Sequence, residues 1–264
     1  MNAKRIWQLA ALLLAAATVA CAQTALAKED PKARLAKAEA MFAERCKKAG
    51  VFIHRTAENV EGVFLMKVRP EGTNYGDQFK MDDPYGHDST GDRYVRSFLV
   101  GRNKNGYLTS TPEAQVSRGY HYVEAADPRD GNWYRYTGRV DEPWRQDTRY
   151  SKTYTRYVLD KTPISGIAPR YGVTYDDIST REERDYWIAG SSLKVIDLKT
   201  NEVIAERIGY MIDRAQGERG GGRSPWLLAA GNACPRFPVN AGHTDQVGQA
   251  RNFVERALKP SSEK

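Results

Sequence analysis

The sequence is short of the residues that announce chemistry. It holds three cysteines and four histidines in 264 residues. The histidines, His54, His87, His121 and His243, are never four apart, and no Cys–His set has finger spacing, so no recognisable zinc motif is present. No serine sits in a G-x-S-x-G elbow. The glycines never form the G-x-x-x-x-G-K-[ST] cradle of a phosphate site. No cofactor is expected. Catalytic triads are arrangements in space, so these absences leave the question of an enzyme open, leaning to no.

A long apolar run is also lacking. The most apolar stretch, Leu9 to Ala20, is about 12 residues, where a membrane-spanning helix needs ~20. No transmembrane segment is expected in the mature chain. That stretch follows Lys4 and Arg5 and precedes Ala25-Leu26-Ala27, a small-x-small pattern, before the charged Lys28-Glu29-Asp30. This is the anatomy of a signal peptide over residues 1–27, cleaved near Ala27, and it places the mature protein in the periplasm. A second cleavage stands beside it. Thr18-Val19-Ala20-Cys21 reads as a lipoprotein box, with Cys21 lipidated as an outer-membrane anchor, although Thr18 stands where a large aliphatic residue is usual.

Without residues 1–27, 237 residues remain, expected as one domain over 28–264. The net charge is +7, of which Lys4 and Arg5 carry two, leaving +5 scattered along the mature chain. Scattered charge with an export signal argues against nucleic acid as a partner. Either cleavage takes Cys21 out of the count. Cys46 and Cys234 are then an even pair in an oxidising space, which predicts a disulfide between them.

Asp30-Pro31 has the form of an N-cap with proline at the first helical position, and Leu35, Ala38, Phe42 and Cys46 recur at helical spacing. The pattern predicts a helix over 31–48. From Val51 it changes to strands: one through Val63–Met66, one over Tyr94–Val100, and others near 119–125, 132–140, 149–159 and 173–178. The clearest hairpin spans Trp187 to Asp213, turning at Lys199-Thr200-Asn201-Glu202. Gln216 to Ser224 reads as a flexible Gly/Arg loop. A closing helix carries Val247, Ala250, Val254 and Leu258, and the tail frays from about residue 260. The expected fold is α+β: an N-terminal helix, an antiparallel sheet of roughly six to eight strands and a C-terminal helix.

Two constellations are candidates for function. The loop 82–92 gathers Asp82, Asp83, Asp88 and Asp92 with His87, two glycines and a proline. Oxygen ligands on a bending loop suit a hard cation, without the EF-hand spacing, and the same residue types build ordinary turns. The stretch 133–157 interleaves aromatics with arginines. Trp133, Tyr136, Trp144, Arg145 and Tyr150 on one face would make a surface for sugar stacking or acidic polymer, while Tyr–Arg pairs also pack on any half-solvated sheet.

Three segments, MDDPYGHDSTGD, YWIAGSSLKVIDLKTNEVIAERIGYM and SPWLLAAGNACP, resemble stretches of a family of exported (periplasmic) bacterial proteins with no assigned activity. The resemblance covers most of the mature chain and carries no catalytic residue. It implies a secreted domain whose Cys234 belongs to a recurring G-N-A-C-P segment. The expected role is a binding or structural domain at the cell envelope, its partner an envelope polysaccharide or protein. Two alternatives stand beside it: a hydrolase of envelope polymer using acids of the 82–92 loop, and an accessory subunit of an envelope complex.

Overall fold

A computed structural model describes residues 29–79, 83, 85–100, 119–237 and 246–261. Cys21, the cleavage sites, Asp82 and His243 lie outside the described residues. The chain divides into two compact units, Met1–Lys37 and Ala38–Lys264. In the first, Asp30 caps the opening helix, its carboxylate accepting the Ala33 N–H at 2.9 Å.

The helix is α1, Pro31–Cys46. Strands β1 (Gly50–Ile53), β2 (Ala57–Val60) and β3 (Gly62–Leu65) follow. Next come α2 (Gly91–Leu99), β4 (Tyr122–Ala126), β5 (Trp133–Asp141), β6 (Arg156–Pro163) and β7 (Tyr171–Asp177). The short α3 (Arg181–Asp185) leads into β8 (Ile188–Asp197) and β9 (Glu202–Ile212). The chain then forms α4 (Pro225–Ala229), β10 (Ala233–Cys234), α5 (Gln249–Ala257) and β11 (Leu258–Pro260).

Nine strands form one sheet in the order β1-β9-β8-β7-β3-β4-β5-β6, with β10 also on β9. The sheet is mixed, not antiparallel as expected, and the protein is mostly β. β3 runs parallel to both of its neighbours, β4 and β7. The physical reason is the crossover: parallel neighbours cannot be joined by a tight turn, and α2 lies in the connection from β3 to β4. A second, two-stranded sheet pairs β2 with β11 in parallel.

Alternation gives the large sheet two faces. Val63, Leu65, Val123, Ala125, Tyr136, Val173, Leu193 and Val195 point to one face, where α2 and α5 pack with Tyr94, Phe98, Phe253 and Val254. On the other face, Ala38 and Phe42 of α1 cover Ile188, Tyr210 and Ile212. The disulfide expected between Cys46 and Cys234 is present, with a Cα–Cα distance of 5.6 Å, and it ties the end of α1 to β10.

The helices depart from expectation in their positions. Tyr94–Val100, expected as a strand, lies mostly in α2. Tyr94, Val95, Phe98 and Leu99 are all buried, and spacings of one, four and five residues put them on one helical face, so their packing overrides their strand propensity. The α1 helix stops at Cys46 and Gly50 opens β1. The closing helix begins at Gln249, so Val247 precedes it and Leu258 already belongs to β11. The strand placed at 149–159 runs from Arg156 to Pro163.

The hairpin is as expected: β8 and β9 pair antiparallel over ten residues, and Asn201 takes φ 59° at the turn. Of the tail expected to fray from about residue 260, the described residues Pro260 and Ser261 are held, and so is the 216–224 loop. Residues 258–260 form a strand, and the Ser261 N–H donates to the Val60 carbonyl at 3.1 Å. The 216–224 loop closes on Asp213, which accepts from the Gly217 N–H at 2.8 Å and from the Arg223 guanidinium at 2.9 Å.

Candidate functional site

A cleft of about 560 Å³ opens where the 71–75 turn and the 87–90 loop meet α2. Its walls are set by a buried cation. Arg69 is 2% exposed. Its guanidinium donates to the Asn74 Oδ1 at 3.3 Å, to the Tyr85 carbonyl at 3.4 Å and to the Asp83 carbonyl, and its Nε lies 3.8 Å from the Asp83 carboxylate. Asn74 in turn donates to the Gly86 carbonyl at 2.6 Å. A charge removed from water needs partners on every side, and here they come from the 71–75 turn and from Asp83 and Tyr85, just ahead of the 87–90 loop. Arg69 thereby ties the 71–75 turn to the chain that enters the 87–90 loop.

Gly86 allows this approach. Its φ is +68°, and a Cβ there would overlap the Gln249 amide and the Phe237 ring. The Gln249 amide occupies that space to donate to the Tyr85 carbonyl at 2.9 Å.

The open side of the cleft presents Tyr75, Glu71, His87, Ser89, Thr90, Arg93 and Arg96. Tyr75 is 64% exposed, the most exposed large hydrophobic side chain among the described residues. Arg93 is exposed, and Arg96, one turn further along α2, lies with its guanidinium carbon 5.0 Å from the centre of the Tyr157 ring. The Thr90 hydroxyl donates to the Glu71 carboxylate at 3.2 Å. On the buried face of α2, burial pushes the Tyr94 phenol well above its ordinary value, with the charge of Asp88 adding to the shift. Tyr94 therefore stays neutral in the core.

The acidic loop reaches this cleft, but its carboxylates diverge. Asp83 turns back to Arg69 and to the Tyr85 N–H, which donates to it at 3.0 Å. Asp88 accepts the N–H groups of Gly248 at 2.6 Å and Ala250 at 2.9 Å, at the start of α5. Asp92 faces Arg129 at 3.2 Å. Among the described residues no three metal-ligating side chains converge. The residue types suited a cation; the directions of the three described side chains do not.

The Arg/aromatic stretch is likewise divided. Trp133 and Tyr136 lie on opposite faces of β5, Trp133 being 41% exposed and packed on Phe64 at 5.2 Å while Tyr136 is in the core. Trp144 is half-buried under the Arg145 guanidinium. Tyr150 stacks on Tyr154 with ring centres 5.4 Å apart, in the connection between β5 and β6. The five residues make no single platform. The sequence does not single out Tyr75, Arg93 and Arg96, because only the fold brings residues 71–75 beside α2, and the residues of α2 read as a strand.

What these elements define is a mixed-sheet domain with a preorganised polar cleft and a disulfide-tied N-terminal helix. Comparison with protein-family models, with curated proteins and with solved structures finds no match to this chain.

Proposed function

We propose that the protein is an exported binding domain of the cell envelope and that the cleft beside α2 receives an acidic saccharide. The observation that carries this is the opening of Tyr75, Arg93 and Arg96 onto one cleft, whose 71–75 wall is held by Arg69 through Asn74. An exposed aromatic ring offers a stacking surface for a sugar ring. The exposed Arg93 guanidinium suits a sugar carboxylate, which accepts paired N–H donors, and Arg96, held over the Tyr157 ring, adds its charge beside it. Glu71 and the hydroxyls of Ser89 and Thr90 suit sugar hydroxyls. A fixed site also loses little ordering entropy on binding.

The Cys46–Cys234 bond supports an oxidising compartment, in keeping with the leader at residues 1–27. Binding is favoured over polymer hydrolysis by the engagement of Asp83, Asp88 and Asp92. Glycoside hydrolysis ordinarily needs two carboxyl groups facing the substrate, and here Asp88 is turned onto the backbone of α5.

The test is calorimetric titration of the mature protein with a uronic-acid oligosaccharide and with its neutral, reduced counterpart. The acidic ligand is expected to bind and the neutral one to bind at least about tenfold more weakly, a difference of ~1.4 kcal/mol. Tyr75→Ala and Arg93→Ala should each lose affinity without changing thermal stability. Binding unaffected by both substitutions, or none with the acidic ligand, overturns the proposal.

A further inference from the structure

The large sheet ends at β6, whose outer edge has no strand partner among the described residues. Eight residues of unpaired strand edge form a template for another strand. We infer that β6 pairs antiparallel with β6 of a second copy of this chain, in a register centred on Val158.

The register follows from symmetry and charge. Two edges joined by a two-fold axis keep both sheet faces continuous, so each residue must meet one from the same face of its copy. On β6 the core face carries Tyr157 and Leu159, and the opposite face carries Arg156, Val158 and Asp160. Centring on Val158 sets Arg156 opposite Asp160 of the other copy, twice, and Tyr157 opposite Leu159. Centring on Arg156 or on Asp160 sets like charges against themselves. Centring on Tyr157 or Leu159 sets Arg156 opposite Val158 or Thr162. Only the Val158 register joins opposite charges, and directly opposed opposite charges stabilise a sheet.

The neighbouring strand extends the same pattern. Within one chain, Arg139 of β5 meets Asp160 at 2.8 Å, and Asp141 of β5 meets Arg156 at 2.8 Å. Across the pair the side chains then read Arg139, Asp160, Arg156, Asp141, alternating in sign over four strands. The features that usually guard an edge do not guard this register. Lys161 turns back to Asp127 at 2.7 Å and lies over the Tyr134 ring. Pro163, which removes an N–H, stands at the last position of β6, beyond the charged pairs.

The experiment is sedimentation of the mature protein across a dilution series, with two sets of variants. A concentration-dependent dimer is expected. Arg156→Asp and Asp160→Arg, each placing like charges opposite, should raise its Kd by about tenfold or more, and an equimolar mixture of the two variants, in which each Asp meets an Arg of the other copy, should restore association. Circular dichroism confirms that each variant is folded. Independently, Val158→Cys lies on the two-fold axis, within disulfide reach of itself, and should cross-link under mild oxidation where Leu159→Cys, facing Tyr157, should not. A monomer at every concentration, or a dimer indifferent to both charge reversals, overturns the inference. So does equal cross-linking at 158 and 159.

Discussion

The carboxylate of Asp88 sits on the backbone of Ala250, 162 residues away in sequence, and accepts its N–H at 2.9 Å. The same carboxylate takes the N–H groups of Gly248 at 2.6 Å and of Ser89 at 2.7 Å. An aspartate from the 82–92 loop thus caps the C-terminal helix from outside. The first turn of α5 has no acidic side chain of its own, and Gly248 at its N-cap offers none. The negative charge also opposes the positive end of the helix.

Asp88→Ala should therefore cost about 2 kcal/mol, because it leaves buried N–H groups without an acceptor. Asp88→Asn keeps one acceptor oxygen and should cost less. Thermal unfolding of both variants checks the order. Calcium should not raise the wild-type melting temperature, since the described carboxylates of this loop already face other partners.

Stability should hold between the ordinary values of the Asp carboxyl, 3.8, and the Tyr phenol, 10.0. On the acid side, the Arg129 hydrogen bond beside Asp127 and the Arg170 hydrogen bond beside Asp197 hold both carboxyls well below their usual range. The unfolded chain takes up those protons first, so stability is complete above 3.8 and falls as pH drops below it. On the alkaline side, burial pushes the Tyr85 and Tyr157 phenols up to about 12. The unfolded chain loses those protons first, so stability falls as pH rises past 10.0. Denaturant midpoints across pH check both limbs, and Asp127→Asn should flatten the acid one.

The Cys46–Cys234 bond spans 188 residues, and the chain-entropy relation gives roughly 5 kcal/mol as an upper figure for such a loop. The double variant Cys46→Ala/Cys234→Ala should be destabilised by about 3–5 kcal/mol. Chemical denaturation with and without reductant checks this, and the variant should no longer respond to reductant.

Asp213, just past β9, is 1% exposed, and three partners converge on it: the N–H groups of Ala215 and Gly217 and the Arg223 guanidinium. Asp213→Ala should free the glycine-rich loop and leave the Arg223 cation without its main partner. Tryptic cleavage at Arg219 and Arg223 should then outpace cleavage elsewhere, where the wild-type loop resists. The expected stability loss is about 2–4 kcal/mol.

Much of this was legible residue by residue. The β8–β9 hairpin shows in its β-branched runs and its Thr200-Asn201 turn. The disulfide follows from cysteine parity once Cys21 is set aside. What could not be read is partnership. Nothing in the residues of β3 says that its neighbours are β4 and β7, because a strand's sequence specifies its buried faces, not the hydrogen-bonded strand beside it. Tyr94–Val100 was misjudged because aromatic and β-branched residues favour strands until a helical face packs them. The acidic loop shows the same limit at the candidate site. Its composition was plain, but the direction of Asp88 depends on α5, and the direction of Asp92 on Arg129.

The pairing of β2 with β11 joins residues 57–60 to residues 258–260. Such a closure sets the order of events for a chain delivered from its N-terminus. Strand β3 finds β4 by residue 126 and β1 finds β9 by residue 212, whereas β2 has no partner before β11 at residues 258–260. Loop-closure entropy makes this a slow topology. The body of the sheet can therefore assemble from residues up to 212, and the joining of β2 to β11 is the last strand pairing to become possible as the chain lengthens.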